Sequence, residues 1–298
     1  MKKRKLIITL TLLLTCGLIA GQGTFATAGE FTPKAGLYYV KKINSVTFHT
    51  YTTPIPRAAS ASVIIETPNA LILQDVHSAK PHNMELKALI NSLSKPLKRI
   101  IISHDHDHHW LGLELFEGVP VYANAATIHS IKEKGADSLA KGKKRLGEAM
   151  VPYKKVVVPG NEITPGMETI DGIRFVYSTP RMKFTGPVNF IEFPDQKVLI
   201  HHHVAYNGVH IPLPPIGPRL DALKQLKGMG YVYLLGGHGI PSGPDAYFDA
   251  AIGYYTKLGE VVKSSPDPKT AKEKMMQAYP KWGGVFLLDM MLPAHYKK

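Results

Sequence analysis

Cysteine is almost missing from this 298-residue chain: Cys16 is the only one. A chain processed beyond that position would carry no thiol, which excludes disulfide bonds, cysteine-held metals and a cysteine nucleophile. Any metal would then have to be held by histidine and carboxylate. No internal repeat stands out. Lysines are numerous but scattered rather than clustered with aromatics, so no nucleic-acid footprint is present. Nothing in the composition reads as disorder, and with 44% hydrophobic residues a chain of this length can bury a large core.

The N-terminus carries its own pattern. Met1-Lys2-Lys3-Arg4-Lys5 is basic, residues 6–20 are apolar, and Ala26-Thr27-Ala28 is a small-residue site. That is the layout of a secretory signal peptide cleaved after Ala28. The expected organisation is a signal peptide over 1–28 and one domain over 29–298, periplasmic or secreted, with no membrane span after cleavage. A retained membrane anchor ranks lower. So does lipidation at Cys16, because the preceding Leu13-Leu14-Thr15 places an unusual Thr before the cysteine. The net charge of +13 includes Lys2, Lys3, Arg4 and Lys5, so the mature chain would carry +9. A basic exported protein favours anionic surfaces or acidic substrates.

Along the chain, β-branched and aromatic runs broken by Pro, Asn and Gly predict an antiparallel meander of strands over 37–40, 46–51, 62–66 and 70–76. A helix is expected over 83–93, with Leu86, Leu89, Ile90 and Leu93 on one face, and then a strand over 97–102. Helices follow over 109–116 and 125–146 around a strand at 119–122. Strands are expected at 155–158, 169–170, 173–178, 188–193, 198–202 and 231–235. Helices are expected from Gly217-Pro218 through 227, over 244–263 and from Asp267-Pro268 to 279. Strands with helices around them suggest an α/β fold in which helices lie outside packed sheets.

One stretch organises the rest: Ser103-His104-Asp105-His106-Asp107-His108-His109-Trp110-Leu111-Gly112. Four histidines in six residues follow the apolar run Arg99-Ile100-Ile101-Ile102. A strand therefore delivers imidazoles to its C-terminal end, and several on one tight loop can converge on a metal ion. Two later segments add to it: His201-His202-His203, after the strand at 198–202, and Leu235-Gly236-Gly237-His238-Gly239.

The spacing of His104, His106 and His109 resembles the His-x-His-x-Asp-His signature of the metallo-β-lactamase superfamily. Residues 195–208 resemble that family's strand ending in Gly-Asp, and residues 235–239 its late Pro-Gly-His-Gly turn. The resemblance spans roughly 37–239 and implies a four-layer αββα sandwich with a metal site at one edge of two sheets. It implies His104 and His106 as ligands of a first metal, and His109 and His238 as ligands of a second. It further implies a hydrolase in which metal-activated water attacks an ester, lactone, amide or related bond.

Three departures qualify the ligand set. His108 stands where the family has Asp, His203 stands at the Asp of Gly-Asp, and residues 179–186 hold no histidine where the family has one. Two metals without those carboxylates would repel each other with little compensation. The expectation is therefore one ion, or an atypical pair, drawn from His104, His106, His108, His109, His203 and His238. An all-imidazole set suits Zn, Fe, Cu or Ni and none of the hard cations; the family resemblance puts zinc first, with iron or copper next. Asp105 and Asp107 are the candidates to orient or deprotonate the attacking water in place of the missing carboxylates, or to fix histidine tautomers.

Asp75 resembles the Asp that ends an early strand in this family, which implies that it supports the histidine loop by hydrogen bonds; a plain strand-end cap is the alternative. His201 and His202 are expected on opposite faces, with at least one structural. The proline-rich 209–216 run reads as a pocket wall or a connector. Arg181 and Lys183 stand where a family ligand would be and are candidates for holding an anionic group of a small-molecule substrate. Two non-hydrolase readings remain beside the hydrolase: a redox or metal-binding protein on the same scaffold, and an exported binding protein.

Overall fold

The computed structural model describes residues 31–55, 58–180 and 186–297. The signal-peptide segment with Cys16, and Arg181 and Lys183, lie outside the described residues. Among these residues no helix is long and apolar enough to cross a membrane.

Two sheets form the centre. The first has seven strands in chain order: β1 (Leu37–Ile43), β2 (Val46–Thr52), β3 (Ala61–Glu66), β4 (Leu71–Gln74), β5 (Leu97–Ile101), β6 (Val121–Ala123) and β7 (Asn161–Glu162). Strands β1 to β4 are antiparallel, and β4 to β7 pair in parallel. The second sheet has five strands in the order β12 (Tyr233–Gly236), β11 (Val198–His201), β10 (Phe190–Phe193), β9 (Ile173–Ser178) and β8 (Gly166–Ile170). Only its β11–β12 pair is parallel. Two hairpins follow from local chemistry. Asp171 and Gly172 both take positive φ between Ile170 and Ile173, as a two-residue turn requires, and Asn44 does the same work between β1 and β2.

Strand alternation divides the apolar side chains among three cores. Phe48, Val63, Ile65, Ile72 and Ile101 face Phe175, Ile191, Phe193, Val198 and Ile200 between the sheets. Ile64, Leu71, Leu73 and Ile100 point outward, onto α1 (Lys80–Ser92) and α2 (Ala125–Leu146). On the far side Phe190, Leu199 and Leu234 pack under α3 (Ile216–Lys227), α4 (Pro244–Lys263), α5 (Pro268–Ala278) and α6 (Val285–Met291). The layers are thus helix, sheet, sheet, helix, as the resemblance implies.

Helix bounds follow their caps. Asn124 accepts the Thr127 N–H at the start of α2, while Lys143, Lys144 and Arg145 face the carbonyl end before Gly147. Asp267 caps α5 through the Thr270 N–H. Two expectations fail. Residues 155–158 form no strand: Val156 and Val157 pack against the first outer core, but Val158 is exposed and the segment joins no ladder. Residues 109–116 form short 3-10 turns, Asp107–His109 and Leu111–Phe116, rather than one helix. Gly112 is wedged there against Asn83 and the His77 carbonyl, so this turn tolerates no side chain.

Candidate metal centre

The parallel strands fix where the site lies. β5, β11 and β12 release their following loops at one edge of the sandwich, so residues 103–109, 202–203 and 237–239 meet there. Hydrogen bonds between the sheets hold this edge together. Asn189 N–H donates to Ser103 O at 2.8 Å, Ala61 N–H to Gly237 O at 2.9 Å and Gly239 N–H to Ala59 O at 2.9 Å.

The six histidines read from the sequence and one further histidine converge. Donor atoms of three histidine triplets lie within 4.8 Å of one another: His104–His106–His203, His108–His109–His238 and His104–His109–His202. The first two contain the positions read from the sequence and sit toward the opening. His106 is exposed, and His108, His203 and His238 are half-buried. The third is entirely buried and includes His202. Its neighbour His201 points the other way, between Phe190 and Tyr247, and serves the outer core. The sequence's alternation thus separates the two correctly, but nothing in it marked His202 as a candidate ligand. The visible signal is the turn Gly236-Gly237: a Cβ on Gly237 would fall on the His202 ring.

Each ring has a history of contacts. Ser103 Oγ donates to Asp75 Oδ2 at 2.7 Å, so it accepts from His104 Nδ1 at 2.8 Å, and the His104 Nε2 lone pair faces the site. There it lies 3.0 Å from His203 Nε2. His238 Nδ1 donates to Ala58 O at 2.9 Å, which turns its Nε2 lone pair inward, 3.1 Å from His108 Nε2. Both rim contacts are satisfied as hydrogen bonds between imidazoles, with His203 and His108 as donors. His203 adopts φ 61° in the left-handed region, and the buried Arg219 on α3 holds it by donating to the His203 and Val204 carbonyls.

The buried rings differ. His109 Nδ1 is 3.0 Å and His202 Nε2 is 2.9 Å from Asp75 Oδ2, but neither ring presents an N–H in line with that oxygen. No ring nitrogen of either residue makes a hydrogen bond. Burial, reinforced by the neighbouring imidazoles, holds His104, His109 and His202 far below the usual imidazole pKa. It pulls His238 to about 3 and His203 to about 2. The rings are therefore neutral donors. Leaving a buried polar atom unpaired costs about 1–3 kcal/mol, and a borderline transition ion is the partner such nitrogens fit.

Asp75 acts as expected and more. It ends the run after β4 with φ 60°, fully buried, and takes the Ser103 N–H on Oδ1 at 2.8 Å. Burial raises its carboxyl to about 8 against the opposing Ser103 bonds. The two catalytic candidates are placed differently. Asp105 is exposed and accepts from Ser130 on α2. Asp107 accepts from Arg145 Nη2 at 2.8 Å and lies 3.5 Å from His108 Nδ1. Burial alone would raise its carboxyl, but His108 and Arg145 outweigh that and lower it. A cleft of about 510 Å3 is lined by Asn124, Glu162, Thr179 and Pro187. Asn124 reaches the loop through Asn189, which also donates to the Ile102 carbonyl. Tyr206 packs its ring against His238 and joins Val209 and Ile211 in a small apolar cluster with Ala58.

No family model matches the sequence, and no curated protein matches it. In structure the chain is similar to a metallo-β-lactamase from Pontibacter korlensis, with TM-score 0.54 and 18% identity over 74% of this chain and 99% of that one. It is also similar to a metallo-β-lactamase from Hirschia baltica, with TM-score 0.53 and 17% identity over 75% of this chain and 98% of that one. The chain has the metallo-β-lactamase fold, and a histidine cluster able to bind metal lies at one edge of its two sheets.

Proposed function

We propose that the chain is an exported, metal-dependent hydrolase acting on an ester, lactone, amide or related bond of a small molecule. The observation that carries this reading is the convergence of imidazoles from three strand-end loops in three overlapping triplets, each with its donor atoms within 4.8 Å of one another. Zinc is the ion first expected, and when bound it supplies a Lewis acid that polarises the electrophile and lowers the pKa of water.

The chain's own residues prepare that chemistry. Ser103 and Ala58 fix which nitrogens of His104 and His238 face inward. Asp107, held by Arg145 Nη2 and lying 3.5 Å from His108 Nδ1, is the carboxylate placed to accept a proton beside the cluster. Asp105, engaged with Ser130, orients the loop instead. The cleft beside Asn124 offers room for the substrate, with Glu162 on its wall.

A second reading, a redox or metal-carrying protein, draws on one observation: the two rim triplets contain only histidine. Metal analysis of protein purified without a histidine-affinity step, combined with an ester, lactone and phosphoester panel, separates the two. Zinc with turnover supports the hydrolase. A redox-active ion with no turnover across the panel sinks it.

A further inference from the structure

We infer that the resident ion sits not at either rim triplet but beneath them, on His104, His109 and His202, with the Asp75 carboxylate as the anionic member of the set. This rests on the reading of the cluster as a metal centre, though not on hydrolysis.

Four observations point there. First, hydrogen bonds already explain the rim contacts: His203 donates to His104, and His108 donates to His238. No such explanation covers His109 and His202, whose four ring nitrogens are buried and unbonded. Second, the three rings pack around one another, with centroids 4.6 Å apart for His104–His109, 5.3 Å for His104–His202 and 5.1 Å for His109–His202, and their donor atoms lie within 4.8 Å of one another. Third, Asp75 Oδ2 stands 3.0 Å and 2.9 Å from nitrogens of two of them, at zero exposure. A divalent ion at this point would supply the counter-charge that a carboxylate needs at zero exposure. Three imidazoles and one carboxylate also leave less uncompensated charge than three imidazoles alone. Fourth, the turn at Gly237 leaves space that the His202 ring occupies.

The departures at positions 108 and 203 then gain a physical sense. The carboxylate missing from the rim is present one layer deeper. An ion taking the His104 lone pair releases His203 from its hydrogen bond, and His203 with His108 is left facing the opening as polar groups toward a substrate.

The direct test is anomalous diffraction from crystals of the wild-type chain loaded with one equivalent of zinc. An ion about 2.0–2.1 Å from His104, His109 and His202 is expected. An ion on His106 and His203, on His108 and His238, or no bound ion overturns the inference. In solution, zinc competition titrations should show His202→Ala losing the ion while His106→Ala keeps one per chain. Asp75→Asn should weaken binding by about 10–100-fold. Retention in His202→Ala, or loss in both histidine variants, counts against it. Zinc found at this position without any hydrolysis would overturn the hydrolase reading and leave this one standing.

Discussion

Arg145 Nη2 lies 2.8 Å from Asp107 Oδ2, so the last turn of α2 holds a carboxylate of the histidine loop. The Arg145 side chain is 54% exposed, and a screened pair of this kind contributes under about 1 kcal/mol to stability. Arg145→Ala should therefore leave the urea midpoint almost unchanged. Its effect should appear in chemistry instead: the Asp107 carboxyl loses one of the two partners that lower it. The acid limb of a hydrolysis profile should then move to higher pH, and an unshifted limb would remove Asp107 from the mechanism.

Acid should unfold the metal-free protein through its buried histidines. Burial lowers His201 to about 4, whereas an unfolded histidine titrates near about 6.5. The unfolded chain thus binds more protons between those values. The His201 contribution is intact above about 6.5 and is lost as pH falls toward about 4, amounting to about 2 kcal/mol by pH ~5. His201→Leu should flatten the pH dependence of the denaturation midpoint by that amount across this window, which urea titrations at pH 7 and pH 5 would measure.

Gly237→Ala should harm the site before it harms the fold. The added Cβ meets the His202 ring, and overpacking of this kind costs about 1–3 kcal/mol. The expected result is folded protein, by circular dichroism, with weakened metal retention after dialysis. Full retention would show that His202 is not needed.

Arg219→Met should cost about 1–3 kcal/mol per carbonyl left unpaired, because Arg219 serves the His203 and Val204 oxygens from a fully buried position. Its guanidinium also stacks on Tyr255, 5.1 Å from the ring centroid. Thermal unfolding of Arg219→Lys beside Arg219→Met separates the charge from the bidentate geometry, with only partial rescue expected from Lys.

Much of this was readable from residue order, and the reasons differ by element. The histidine loop was legible because the apolar run through Ile102 ends at Ser103. Helices α2 and α4 kept nearly their expected bounds because Asn124 and Pro244 are strong start signals. The Val156-Val157 segment misled because β-branched residues reward a strand reading, while only pairing with a neighbour makes one. The short α6 gave no periodic signal long enough to read. The role of His202 stayed hidden for another reason: the space it fills is made by Gly237, which is 35 positions away in the chain. Asp75 was legible as a support of the loop, but its distance to two rings at once is a property of packing.

The histidines that converge come from both halves of the sandwich, His104 to His109 from the first sheet and His202, His203 and His238 from the second. An ion held between them is also a cross-link, tying segments separated by roughly a hundred residues, and closures of that length constrain the unfolded chain most. In a protein whose single cysteine lies at position 16, it stands in for the staple that a disulfide would provide, worth about 4–5 kcal/mol on the chain-entropy account. Chelation should then lower the melting temperature by roughly ten degrees, and calorimetry with and without chelator would show it. An unchanged melting temperature would mean that the two sheets hold together without the tie.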